Sequence, residues 1–106
     1  MGALSRRKGH RFEREVAADL RVLFPDARRG LQYQDGATAP DVEGTPFHVE
    51  CKVGRKPNPR AALKQAQRDT KDRPPIAVIK DDREEPFAVM PWSVLLSLLH
   101  KAYDGR

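Results

Sequence analysis

A single cysteine, Cys51, stands in 106 residues, which excludes an internal disulfide framework and a structural zinc site built on thiolates. The three histidines, His10, His48 and His100, form no His-x-x-His pair, and there is no Cys-x-x-Cys, so a zinc site is not expected. Long apolar runs are also missing. The most apolar stretch, residues 94–99, falls far short of the ~20 residues that cross a bilayer. Residues 1–11 are basic with no apolar run behind them, unlike a secretion signal. The expectation is a cytoplasmic protein with no membrane partner. The sequence lacks G-x-x-x-x-G-K-[ST], so no nucleotide-driven motor is expected. Internal repeats and low-complexity segments are absent as well.

What is present is charge. Charged residues make up 33% of the chain and hydrophobic residues 39%, the balance of one globular domain spanning residues 1–106. Twenty Lys and Arg stand against fifteen Asp and Glu, a net charge of +5, which favours a polyanionic partner. The distribution is uneven: +4 over residues 1–30, −3 over 31–53, +5 over 54–73 and −1 over 74–106. An acidic middle between basic flanks fits a cation-binding floor beside phosphate-binding walls. Two solvated helices would give a similar pattern.

Phe12, Val16, Ala17, Leu20, Leu23 and Phe24 recur at helical spacing and predict a first helix over 11–24, with Ser5 a candidate cap. Pro25 ends it. A short extended segment is expected over 27–34 and a loop over 35–40. In 46–53, Phe47, Val49, Cys51 and Val53 alternate with His48, Glu50 and Lys52, the pattern of a strand with one apolar and one polar face. Residues 41–43 can pair with it through the Gly44-Thr45 turn. Helix is expected over 60–71, strand over 76–80 and 87–90, and a final helix over 92–103 entered through Pro91. The fold class is therefore α/β, a central mixed sheet flanked by helices in the order α-β-β-β-α-β-β-α.

Residues 40–52, PDVEGTPFHVECK, carry the chemistry. Glu50 and Lys52 leave one face of a strand together, and the Gly44–Pro46 turn can fold Asp41 back beside them. Magnesium takes oxygen ligands and commonly uses one or two carboxylates. Asp41 and Glu50 supply those, and the Cys51 backbone carbonyl is a candidate third oxygen. Lys52 can hydrogen-bond an attacking water or offset developing charge. The neighbouring carboxylates keep its ammonium charged, which argues against a free-amine base.

Pro40-Asp41 followed by Glu50-Cys51-Lys52 resembles the signature of the PD-(D/E)xK nuclease superfamily. The N-terminal KGHRFEREVA (8–17) with ARRG (27–30) resembles the archaeal-type Holliday junction resolvases and similar small phage nucleases. That resemblance covers residues 8 to about 68. It implies a restriction-endonuclease-like core, Mg²⁺ or Mn²⁺ bound by Asp41 and Glu50, Lys52 acting on the nucleophilic water, and Glu13 as a further carboxylate of the metal site. Where the resolvases have a small Gly/Ser-rich loop before the aspartate, this chain has LQYQDG (31–36).

Periodicity agrees with Glu13 over Glu15, since Glu13 borders the Phe12–Val16–Leu20 face. Arg28, Arg29, Arg55, Lys56, Arg60, Lys64 and Arg68 are candidate phosphate contacts. Gln65 is expected at the edge of the metal site, as in related nucleases. His48 reads as a hydrogen-bonded surface histidine sharing the polar face of Glu50. Trp92 and Tyr103 read as core or interface, and Tyr33 as a loop residue able to stack on a base. The expected function is metal-dependent DNA endonuclease, acting on branched DNA as a homodimer with two symmetric sites. A restriction- or repair-type endonuclease of the same superfamily, or a non-catalytic basic DNA-binding accessory protein, are the alternatives.

Overall fold

The computed structural model describes residues 2–31 and 38–104. Tyr33 and the first half of the expected loop over 35–40 lie outside them. Among the described residues, three helices and five strands follow the order α1 (Gly2–Leu20), β1 (Arg28–Arg29), β2 (Val42–Glu43), β3 (His48–Gly54), α2 (Pro59–Asp69), β4 (Pro75–Asp81), β5 (Phe87–Val89) and α3 (Trp92–Tyr103). The strands form one mixed sheet in sequence order. Neighbours are antiparallel except β3 and β4, the pair joined by the crossover helix α2. This is the α/β class that the patterning implies.

Helix α1 differs from expectation at both ends. It begins at Gly2, and Gly9 and Ser5 lie within it. Residues 4–9 are exposed or half-buried and show no periodic signal, yet no proline interrupts them and the helix simply continues. It stops at Leu20, where Leu23 and Phe24 both donate to the Leu20 carbonyl, at 3.0 and 2.8 Å. The chain tightens there because Phe24 precedes Pro25 and is steered away from helical geometry. Phe24 then packs edge-on against Phe47, with ring centroids 6.2 Å apart.

The two faces of β3 are both covered. On one, Val49 and Cys51 join Phe12, Val16 and Ala17 of α1 and Val42 of β2 in the larger core. On the other, Ala77 and Ile79 of β4 pack against Ala62 of α2. Glu50 is in register with Ala77 in the parallel pair, so its side chain lies on the α2 side, as do those of His48 and Lys52. The reading of His48 as a surface histidine is thereby corrected. A parallel pair bridged by a helix is sheltered on both sides, and His48 and Glu50 are each only 2% exposed.

Gly44 turns the chain from β2 into β3 with φ +83, and a Cβ there would collide with the Asp26 carbonyl. Gly30 lies so close to Pro40 that a side chain would meet its carbonyl oxygen. Helix α2 starts at a cap, Asn58, whose side chain accepts from Ala61 N at 3.1 Å, with Pro59 in the first position. That is the combination a helix start favours.

Helix α3 has the expected bounds but no buried residue. Trp92 is 67% and Tyr103 57% exposed, which corrects their reading as core of this chain. An apolar groove of about 710 Å³ runs between α1, the sheet and α3, lined by Phe12, Val16, Phe47, Val78 and Leu98 among others. No helix among the described residues is long and apolar enough to cross a membrane.

Candidate functional site

Strand β2 is short, and β3 runs on past it. Asp41 sits at the point where β2 begins. Its main-chain N–H donates to Val49 O at 2.8 Å, and its own carbonyl accepts from Gly30 N at 2.8 Å. Its carboxylate takes the place of a missing strand, with Oδ2 accepting from Cys51 N at 2.8 Å. A residue's N–H and C=O leave a strand on the same edge. The Cys51 carbonyl therefore points along the edge where the Asp41 carboxylate lies.

Asp41 and Glu50 are 6% and 2% exposed, and their carboxyl groups hydrogen-bond each other. Burial, then the Asp41 charge and this hydrogen bond, push Glu50 up to about 8, against the pull of Lys52. Burial also raises Asp41, opposed by the Cys51 N–H, the bond to Glu50 and the Lys52 charge. Each carboxyl is thus shifted toward its protonated form, because two buried carboxylates side by side disfavour joint ionisation. Glu50 also lies, through Oε1, 3.1 Å from His48 Nε2. His48 is therefore hydrogen-bonded as expected, but buried instead of at the surface.

Glu13 reaches the same edge from α1, with a side chain 16% exposed and an ion pair to Arg29 Nε at 2.9 Å. Burial and the Asp41 charge raise its carboxyl, while Arg29 and Lys52 lower it. Lys52 is half-buried, and its charge acts on Glu13, Asp41 and Glu50 alike. Of the four expected residues, Asp41 and Glu50 are thus in contact, while Glu13 and Lys52 lie within electrostatic reach of Asp41. Burial raises the Cys51 thiol further, so this sulfur is an inert core atom and only its main-chain carbonyl is available to a ligand.

Two carboxylates and a main-chain carbonyl make an all-oxygen donor set, which suits Mg²⁺ or Mn²⁺. A divalent cation would offset the repulsion between the Asp41 and Glu50 carboxylates and favour their ionised forms. Among the described residues, no three His, Cys, Asp or Glu side chains gather as a ready cation cage. With Glu13 held by Arg29, Asp41 and Glu50 are the two carboxylates in mutual contact, and Mg²⁺ sites that use two carboxylates fill their remaining positions with water and substrate oxygens.

The basic candidates fall into two groups. Arg28 is exposed on β1 and donates to Asp26 O at 3.0 Å, while Arg29 is engaged by Glu13. Arg55 and Lys56 are exposed beyond β3, with Lys56 at φ 50 and its N–H bound to Asp81 Oδ1 at 2.7 Å. Arg60, Lys64 and Arg68 are exposed along α2 and Gln65 is half-buried; Arg68 lies 3.7 Å from Asp69.

Two neighbours had gone unassigned in the sequence. His10, three residues before Glu13 and so on its side of α1, is lowered by desolvation and by Arg29, Arg14 and Arg6. Arg73 bridges to Glu43 at 3.4 Å beside a polar pocket of about 290 Å³ that His48 also lines. Helical spacing from Glu13 was the available signal for His10. Nothing local marked Arg73. Comparison with known protein families, characterised proteins and solved structures finds no match.

Proposed function

We propose that this chain is a divalent-metal-dependent DNA endonuclease of the PD-(D/E)xK type, hydrolysing phosphodiester bonds in branched DNA such as a four-way junction. The observation that carries the reading is the buried Asp41–Glu50 carboxyl pair with Lys52 beside it and the Cys51 carbonyl on the same edge. A fold has little reason to desolvate two acids against each other for stability alone. Perturbed, mutually coupled acids mark functional sites.

Asp41, Glu50 and the Cys51 carbonyl would hold Mg²⁺ or Mn²⁺, which when bound supplies Lewis acidity toward a phosphate oxygen and an acidified water. Lys52 orients the attacking water or offsets charge growing on the phosphoryl oxygens. Glu13 is held at the edge of the site by Arg29. Arg28, Arg55, Lys56, Arg60, Lys64 and Arg68 meet the DNA backbone, with Gln65 at the margin of the site. Backbone contacts position a nucleic acid without reading its sequence. A homodimer places two such sites in two-fold relation for paired cuts. The exposed apolar residues Trp92, Leu96, Leu99 and Tyr103 of α3 supply a surface for that pairing.

The test is incubation with labelled four-way junction, linear duplex and single-stranded DNA in Mg²⁺, Mn²⁺ or EDTA. Symmetric nicks confined to the junction, abolished by EDTA, support the proposal. Cleavage of all substrates makes the protein a general or restriction/repair-type endonuclease of the same kind. DNA that is shifted but never cut makes it a binding-only accessory protein.

A further inference from the structure

We infer that His48 is a positioning residue for Glu50, its ring fixing the carboxylate that the proposed cation site depends on; the inference rests on that reading of Asp41 and Glu50. The two side chains stand two residues apart on one face of β3, both 2% exposed, with His48 Nε2 3.1 Å from Glu50 Oε1. The ring itself has little freedom. Its main-chain N–H is tied to Pro74 O at 2.9 Å, where β3 begins its pairing with β4, and α2 covers the face it occupies.

A glutamate has three side-chain torsions, the last of them broad, so a buried Glu50 with one partner could present either oxygen to a ligand. His48 removes that choice. With Nε2 protonated the ring donates to Oε1, while Asp41 hydrogen-bonds the same carboxyl group. Groups that hydrogen-bond a ligating carboxylate orient it, and their loss typically lowers metal affinity by about 10- to 100-fold. If His48 only filled space, any residue of similar volume would serve. If it positions Glu50, a donor at the reach of Nε2 is required.

The experiment measures Mn²⁺ affinity of the full chain by calorimetry, with no DNA present, alongside thermal melting by circular dichroism. The variants are His48→Leu, His48→Asn, His48→Gln and Glu50→Gln. The Gln amide nitrogen reaches about as far as His Nε2, whereas the Asn amide stops near the position of Nδ1. The expected result is that Leu and Asn weaken Mn²⁺ binding roughly 10- to 100-fold and that Gln restores most of it. The Gln–Asn contrast decides the matter even where the Leu variant does not fold. Wild-type affinity in the Asn or Leu variant, or a Gln variant as weak as Asn, overturns the role of His48 and leaves the cation site standing. Equal Mn²⁺ binding by wild type and Glu50→Gln overturns the cation site itself, and the positioning role with it.

Discussion

Burying Glu50 against Asp41 sets the acid–base behaviour of the folded protein. Glu50 lies near 4.5 when free and is pushed up to about 8 in the fold by burial and by Asp41. The folded state therefore keeps a proton that the unfolded state releases, and this stability is complete below pH 4.5 and lost as pH rises through about 8. Asp41 and Glu13 shift in the same direction. His48 and His10 are lowered from 6.5 and so cost stability as pH falls below that value. Above it the carboxyl effect is unopposed. The metal-free melting temperature should fall between pH 6.5 and 8, and Glu50→Gln should flatten that slope, as measured by calorimetry in EDTA. In catalysis, Lys52→Ala should lower junction cleavage by about 100-fold or more while leaving junction affinity in a gel-shift assay nearly unchanged. Lost binding would make Lys52 a DNA contact instead.

Among the elements, the β2–β3 turn and helix α2 place the site. Gly44 is the hinge that folds Asp41 back alongside β3. Ala in that position meets both a positive φ and the Asp26 carbonyl. Gly44→Ala should therefore destabilise the protein by about 1–3 kcal/mol, read as a lower denaturation midpoint. Gly9 is the control: it lies inside α1 with open space around it, and Gly9→Ala should raise stability by about 0.5–1 kcal/mol. The small residues Ala62 and Ala66 are buried on α2, which lets that helix lie close over the face carrying His48 and Glu50. The turn was legible from Gly44-Thr45 and the strand from its alternation. The shielding of the polar face was not, because it depends on which side of the sheet the crossover helix takes.

At the scale of the whole molecule, α3 is apolar around most of its circumference yet buries nothing completely. Helices of that composition are normally enclosed. Trp92, Leu96, Leu99 and Tyr103 follow a four-three-four spacing, the seam of a helix that packs against another helix. Light scattering should show concentration-dependent dimer formation, and Leu96→Glu with Leu99→Glu should hold the protein monomeric. Trp92 is the only tryptophan, so its emission should shift to the blue as wild type associates and stay unshifted in the double variant. A dimer that persists in that variant would move the interface elsewhere.

Period and punctuation alone determined the α/β class, the order of elements and the bounds of α3, because hydrophobic spacing and proline positions act over a few residues. The same local chemistry singled out Asp41, Glu50 and Lys52 as a set worth bringing together. Only the tertiary structure decided that Glu50 and His48 are enclosed, that Arg29 is committed to Glu13, and that α3 leaves its aromatic residues in solvent. Burial and ion pairing depend on what arrives from distant parts of the chain, and no spacing within a single segment encodes that arrival.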